Sequence, residues 1–258
     1  MTLLKTKTGV VDAPSRIIIY SPPKVGKTKS LSKLPDSFIL DLESGTGGVE
    51  GDLLNVQQEM IDRNITDPGQ RAIAPWKIIS EFYSELLDMG NKLPFKHLVI
   101  DTVDELESAA RMQVWSEAGE DPFNMDYGKG YGLVRDRIMK LLNMFVSLGL
   151  NLVIVGHRKR TLVEKKGVTI ASNDLEVTGK LKSILFAWAD CIAFGNRDMT
   201  EDGDSGFFLS FVRDAEDSTE SGSRIGRLEG RNVLVHAMNG KGDTTINNWD
   251  EIFPKGVK

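Results

Sequence analysis

Residues 17–28 read Ile17-Ile18-Ile19-Tyr20-Ser21-Pro22-Pro23-Lys24-Val25-Gly26-Lys27-Thr28. Three β-branched residues and one aromatic form a short, uniformly apolar run, the pattern of a strand buried on both faces. Two prolines then stop the strand, and KTKSLSKL after the glycine has the spacing of a helix. The order is therefore strand, loop, helix. Ser21 to Thr28 fits the eight-residue Walker A pattern, except that Ser21 stands where the first glycine is usual. Gly26 permits close approach of the backbone to an anion. Lys27 brings a positive charge on a long stem, and Thr28 offers a hydroxyl to Mg²⁺. Pro22, Pro23, Lys24, Val25 and Lys29 complete the segment that would line a nucleotide's phosphates. The competing reading, a Pro-rich connector before a basic helix, explains neither the flanking strand nor the acidic strand ends downstream.

Outward from this stretch, Phe38-Ile39-Leu40-Asp41-Leu42-Glu43 is a second apolar run that ends in acid before SGTGG. Alternation along an extended chain puts Asp41 and Glu43 on one strand face. Glu43 is the expected water-activating carboxylate, and Asp41 is expected to support Mg²⁺ or the local hydrogen bonds. His97-Leu98-Val99-Ile100-Asp101-Thr102 repeats the apolar-to-acid transition in the manner of a Walker B strand, with Asp101 as the magnesium partner of Thr28. Asp104 and Glu105, just beyond, are read first as acids favouring the positive end of a helix. The run Leu150 to Gly156 ends at His157, which beyond a strand's carboxyl end is placed to sense phosphate, with a neutral core-edge or cap-forming histidine as the other reading.

Between these strands, DPGQRAIAP reads as a break before the helix WKIISEFYSELLDM, and a further helix begins near Tyr131. The Met, Phe and Trp residues of these helices recur at helical intervals and read as packing groups. DYGKGYG, residues 126–132, reads as a flexible lead-in able to reach a ligand or a neighbouring subunit. No internal repeat is evident.

The 258 residues suffice for one sizeable core and leave little room for two, so a single domain over 1–258 is expected. A net charge of -5 excludes a generally basic nucleic-acid coat, so any DNA contact must be local. One cysteine and three histidines can build neither a disulfide framework nor a Cys/His zinc cluster, which fits a reducing cytoplasm. No apolar run approaches the length of a membrane span, and the N-terminus lacks the apolar core of a signal peptide.

IIIYSPPKVGKT, FILDLESGTGG, HLVIDTVDEL, DYGKGYGLVRD and LNLVIVGHRKR occur in an order that resembles the phage RecA-like P-loop ATPases of the AAA_24 nucleotide-binding family, including Sak4-type single-strand annealing proteins. The resemblance implies an α/β fold, a RecA-like P-loop NTPase with a mainly parallel central sheet flanked by helices. It also implies ATP and Mg²⁺ as cofactors and, in the Sak4 branch, single-stranded DNA binding, annealing and recombination partners. It assigns phosphate contact to Gly26 and Lys27, Mg²⁺ to Thr28, water activation to Glu43, Walker B work to Asp101 and sensing to His157. Ser21 departs from the family loop. A phage protein of this kind works in the cytoplasm of its host cell.

Residues 158–182 carry seven cationic against three acidic side chains, a local excess of +4. Arg158, Lys159, Arg160, Lys165 and Lys166 are the expected DNA-phosphate contacts in a basic loop region, although a solvated hairpin or subunit surface has the same composition. Lys180 and Lys182 are candidates for reaching a neighbouring subunit's nucleotide in a homo-oligomer, with DNA phosphate as the alternative partner. Residues 201–220 hold seven acids and one Arg and read as a solvated acidic excursion that avoids DNA. Asn239-Gly240-Lys241-Gly242-Asp243 has the wrong spacing for guanine reading. The leading expectation is an ATP-dependent single-stranded DNA-binding recombination or annealing protein with Mg-dependent hydrolysis. An oligomeric P-loop ATPase acting on a protein assembly, and an ATP-regulated DNA-binding module with little turnover, stand beside it.

Overall fold

β1 (Arg16–Ser21) is the expected strand, and it is buried from Ile17 onward. The computed structural model of the chain describes residues 13–125, 128–165, 168–213 and 219–255. Within it β1 lies mid-sheet, parallel to β5 (Asn151–Lys165) on one side and β7 (Cys191–Met199) on the other. Past β5 come β4 (His97–Asp101), β2 (Ser37–Asp41) and β3 (Asp52–Asn55), all parallel. Past β7 the sheet turns antiparallel through β8 (Ser205–Ser210), β10 (Asn232–Met238) and β11 (Thr244–Asn247). β6 (Val168–Leu175) pairs with β5, and the short β9 (Gly222–Ser223) with β7.

Because successive side chains point to opposite faces, the parallel strands feed two cores. Ile18, Tyr20, Leu98, Ile100, Leu152 and Ile154 face α3 (Pro68–Met89), α4 (Val103–Ala118) and α5 (Lys129–Ser147), which contribute Ile78, Phe82, Leu106, Ile138 and Phe145. Ile17, Ile19, Val99, Val153 and Val155 face α1 (Lys27–Leu31) and the C-terminal residues Trp249 and Ile252. The C-terminal segment is tied to α1: Trp249 Nε1 donates to the Ser30 carbonyl at 2.9 Å, and Ser30 Oγ meets His236 Nδ1 at 3.1 Å. α2 (Val56–Asp62) and α6 (Leu181–Trp188) complete the helices. A largely parallel sheet flanked by helices, with loops at the carboxyl ends of its central strands, is the RecA-like P-loop NTPase arrangement. No helix among the described residues is long and apolar enough to cross a membrane.

Four expectations need correction. The break over residues 67–75 is the start of α3: Asp67 accepts from the Gln70 amide at 2.8 Å, and Pro68 occupies the first turn, where no amide hydrogen is needed. Pro75 interrupts one bond inside the helix without ending it. The strand from residue 150 does not stop at Gly156. It continues as β5 and returns as β6, so residues 158–175 form an antiparallel ribbon rather than a loop, in keeping with the β-branched residues Thr161, Val163, Val168, Thr169 and Ile170. The acidic stretch 201–220 contains β8, whose Phe207 and Leu209 are buried; its charges lie outside the strand, and residues 214–218 fall outside the described residues. In DYGKGYG, residues 126–127 lie outside the described residues and Lys129 already begins α5. A Cβ on Gly130 would stand 1.6 Å from the Pro122 carbonyl oxygen, so that helix start depends on a bare glycine.

Candidate nucleotide site

Register in the parallel sheet assembles the site. Ser21 pairs with His157 and Asp41 with Asp101, so the carboxyl ends of β1, β2 and β4, and the point where β5 leaves the parallel sheet, bring these residues to one edge. Ser21 is fully buried and donates to the Pro22 carbonyl at 3.1 Å. The loop then passes through two left-handed residues, Lys24 (φ 62) and Gly26 (φ 87), before α1 begins at Lys27. Pro22 and Val25 are half-buried, whereas Pro23, Lys24 and Lys29 are exposed along the loop and first turn.

Lys27 is 7% exposed, and its Nζ has no hydrogen-bond partner. Burial holds its pKa below the ordinary lysine value, against the pull of Asp101, Glu43 and Asp104. Thr28 Oγ1 donates to Asp101 Oδ2 at 2.6 Å, and the other oxygen of Asp101 is buried without a partner. Burial raises the Asp101 carboxyl to about 6, opposed by the Thr28 bond and by Lys27. The edge thus holds a buried ammonium, a threonine hydroxyl and a carboxylate oxygen, two of them unsatisfied. Unsatisfied buried polar atoms are costly in a protein interior. A phosphate oxygen on Nζ and a hydrated divalent cation at Thr28 and Asp101 satisfy them, so these residues fit a magnesium nucleotide. No group of three or more metal-ligating side chains occurs among the described residues.

Asp41 and Glu43 do not share a face, because β2 ends at Asp41 and alternation no longer governs Glu43. Asp41 is completely buried and accepts from the amides of Glu43, Gly45 and Thr46, from Thr46 Oγ1 at 2.5 Å and from Asn55 Nδ2 at 2.9 Å. Its carboxylate is consumed in shaping the loop, as the hydrogen-bond reading of Asp41 anticipates. Glu43 is exposed, and its Oε1 lies 3.4 Å from His157 Nε2. His157 Nδ1 lies 2.9 Å from Asp104 Oδ2. The hydrogen bond to Asp104 raises the His157 pKa, against burial and Lys27. Burial alone would raise Asp104, but His157 outweighs it and the carboxyl is lowered. The imidazole therefore bridges two carboxylates, one on the loop after β2 and one in the first turn of α4. The sequence alone favours Asp104 as a helix-start acid, behind Asp101 for metal and Glu43 for water; its place three residues after Asp101, in the first turn of a helix starting at the same sheet edge, is the signal for its site role.

The basic segment divides. Lys159 and Arg160 are exposed on β5, whereas Arg158 is half-buried with Nη1 at 3.5 Å from Asn173 Oδ1. The side chain of Lys165 and all of Lys166 lie outside the described residues. Lys180 is exposed at the start of α6. Lys182 is ion-paired within its own chain, to Asp174 at 2.9 Å and Glu220 at 3.4 Å. Lys180 also lines a cavity of about 420 Å³ with Tyr131, Gly132, Arg135 and Gly179. Arg197 on β7 was missed altogether.

No curated protein matches the chain. Among solved structures it is similar to a KaiC-like protein from the hyperthermophilic archaeon Pyrococcus horikoshii OT3, at 9% identity and a TM-score of 0.41, over 89% of this chain and 88% of that one. The family model described as an AAA domain, AAA_24, matches residues 13–232. That span runs from the strand before the P-loop to the start of β10. The chain belongs to this AAA domain family, as an ATP-binding P-loop NTPase.

Proposed function

We propose that this chain hydrolyses Mg-ATP at the β1–α1 loop and couples the nucleotide to single-stranded DNA held along the β5–β6 ribbon. The observation that carries the nucleotide half is the buried, unpartnered Lys27 ammonium beside the Thr28–Asp101 pair. Lys27 and the amides around Gly26 bind the phosphates, while Thr28 and Asp101 would hold Mg²⁺, whose chemistry when bound is neutralisation of developing phosphate charge. Glu43 orients the attacking water and accepts its proton. His157, anchored by Asp104, holds Glu43 at the sheet edge.

The DNA half is supported by position and charge. The ribbon begins at Arg158, directly after His157, so Lys159 and Arg160 lie two and three residues from a group that touches the water-activating carboxylate. Lys180, five residues beyond the end of β6, adds an exposed cation and shares a cavity with Tyr131 of α5. Leu162, 73% exposed on the same ribbon, favours a second reading in which it docks on a protein partner. Mg-ATP turnover measured with and without a defined single strand, while assembly size is followed, separates these: DNA stimulation supports the first reading, and turnover indifferent to DNA with no DNA binding favours the second.

A further inference from the structure

Arg197 has no role in the account above, yet its guanidinium lies against the P-loop. Six arginines, Arg16, Arg63, Arg111, Arg135, Arg137 and Arg231, pair with carboxylates. Arg197 is exposed and forms no ion pair among the described residues; its Nε donates to Ser205 Oγ at 2.5 Å. Its Nη1 stands 3.0 Å from the point a Cβ on Gly26 would occupy.

The placement follows from the sheet. Tyr20 pairs with Phe194, so β7 runs beside β1 and passes its carboxyl end three residues before Arg197. Alternation puts Cys191 and Ala193 in the core beneath α1, and Arg197 continues that face beside the loop. The bond to Ser205 on β8 uses one of five guanidinium hydrogens and leaves the outer fork free. Lys24 and Lys29 are exposed on the same loop and first turn, and Arg197 with Lys29 and Lys33 helps to hold the nearby buried His236 low, after the effect of burial itself.

We propose that Arg197 binds the phosphate chain of the nucleotide held by its own subunit's P-loop, a specificity contact supplied in cis. This rests on the reading of the P-loop as the nucleotide site. Ser205 aims the guanidinium, and Gly26 leaves room for it. The assignment differs from the trans contact expected of Lys180 and Lys182, because it requires no second subunit.

The test is Mg-ATP affinity of folded wild-type, Arg197→Met, Arg197→Lys and Lys27→Ala proteins, with circular dichroism and melting as folding controls. Loss of charge-assisted bonds predicts roughly ten- to hundred-fold weaker binding by Arg197→Met. Arg197→Lys, which keeps charge but not the fork, should fall between. Wild-type affinity in folded Arg197→Met overturns the proposal while leaving the P-loop reading intact. Equal binding by wild type and Lys27→Ala overturns the P-loop reading and the proposal with it. Mixing Lys27→Ala with Arg197→Met supplies an intact arginine and an intact P-loop on different subunits. No recovery of turnover is expected, and recovery would show that the residue acts in trans, against the proposal.

Discussion

Lys27 buries a cation that has no partner of its own, and two consequences follow. Lys27→Ala should abolish Mg-ATP binding, yet melt no lower than the wild type, because it removes an unsatisfied buried ammonium. A nucleotide titration beside a thermal melt checks both, and a large drop in melting temperature would show that Lys27 has a folding role. Glu43→Gln should keep ATP affinity while slowing single-turnover hydrolysis by roughly a hundred-fold or more; unchanged hydrolysis removes Glu43 from the chemistry. Asp104→Asn should lower the His157 pKa, since the hydrogen bond to Asp104 is what chiefly raises it. A histidine NMR titration reads that shift, and an unmoved His157 would mean the 2.9 Å contact does not hold the imidazole. Lys27, Thr28 and Asp101 are legible in the sequence because each is fixed by a short motif next to an apolar strand. Arg197 is not, because its approach to Gly26 is made only by the pairing of β1 with β7, some 170 residues apart along the chain.

At the scale of elements, α5 begins where a Cβ on Gly130 would strike the Pro122 carbonyl. Gly130→Ala should therefore cost about 1–3 kcal/mol of stability through forced separation of α5 from the Pro122–Asn124 turn. Chemical denaturation measures it, and a neutral effect would contradict the close approach. On the ribbon, neutralising Lys159 and Arg160 together should weaken single-stranded DNA binding and flatten its salt dependence while sparing ATP affinity. Salt dependence equal to wild type would take the ribbon out of DNA contact. The parallel strands were legible because they are uninterrupted apolar runs. The start of α3 was not: a proline in a first turn and a proline that ends a helix look alike until the Asp67 cap is seen. The ribbon was hidden because its arms mix charged and β-branched residues, a pattern shared by loops. β8 was hidden because its two buried aliphatic and aromatic side chains lie between clusters of acid.

Across the whole molecule, His236 links α1 to β11, with Ser30 Oγ at 3.1 Å on Nδ1 and Thr244 Oγ1 at 3.2 Å on Nε2. Burial lowers its pKa to about 4, from an ordinary 6.5. The unfolded chain therefore binds the proton more readily, and the stability that neutral His236 contributes is present above pH 6.5 and is lost as pH falls from there toward 4. The melting advantage of wild type over His236→Asn should shrink across that window; an advantage independent of pH would mean His236 is protonated in the fold. The antiparallel half of the sheet, which carries this link, was the least legible part of the chain, because its short strands alternate and acquire a buried face only when β8, β10 and the C-terminal Trp249 meet. The same joining of distant segments brings nucleotide site and ribbon together at His157. The measurement that tests the account most directly is steady-state Mg-ATP turnover by wild-type and Lys27→Ala proteins, each with and without a defined single-stranded oligonucleotide. The account predicts turnover by the wild type, a higher rate when DNA is present, and none by Lys27→Ala in either condition; turnover by folded Lys27→Ala at the wild-type rate would contradict it.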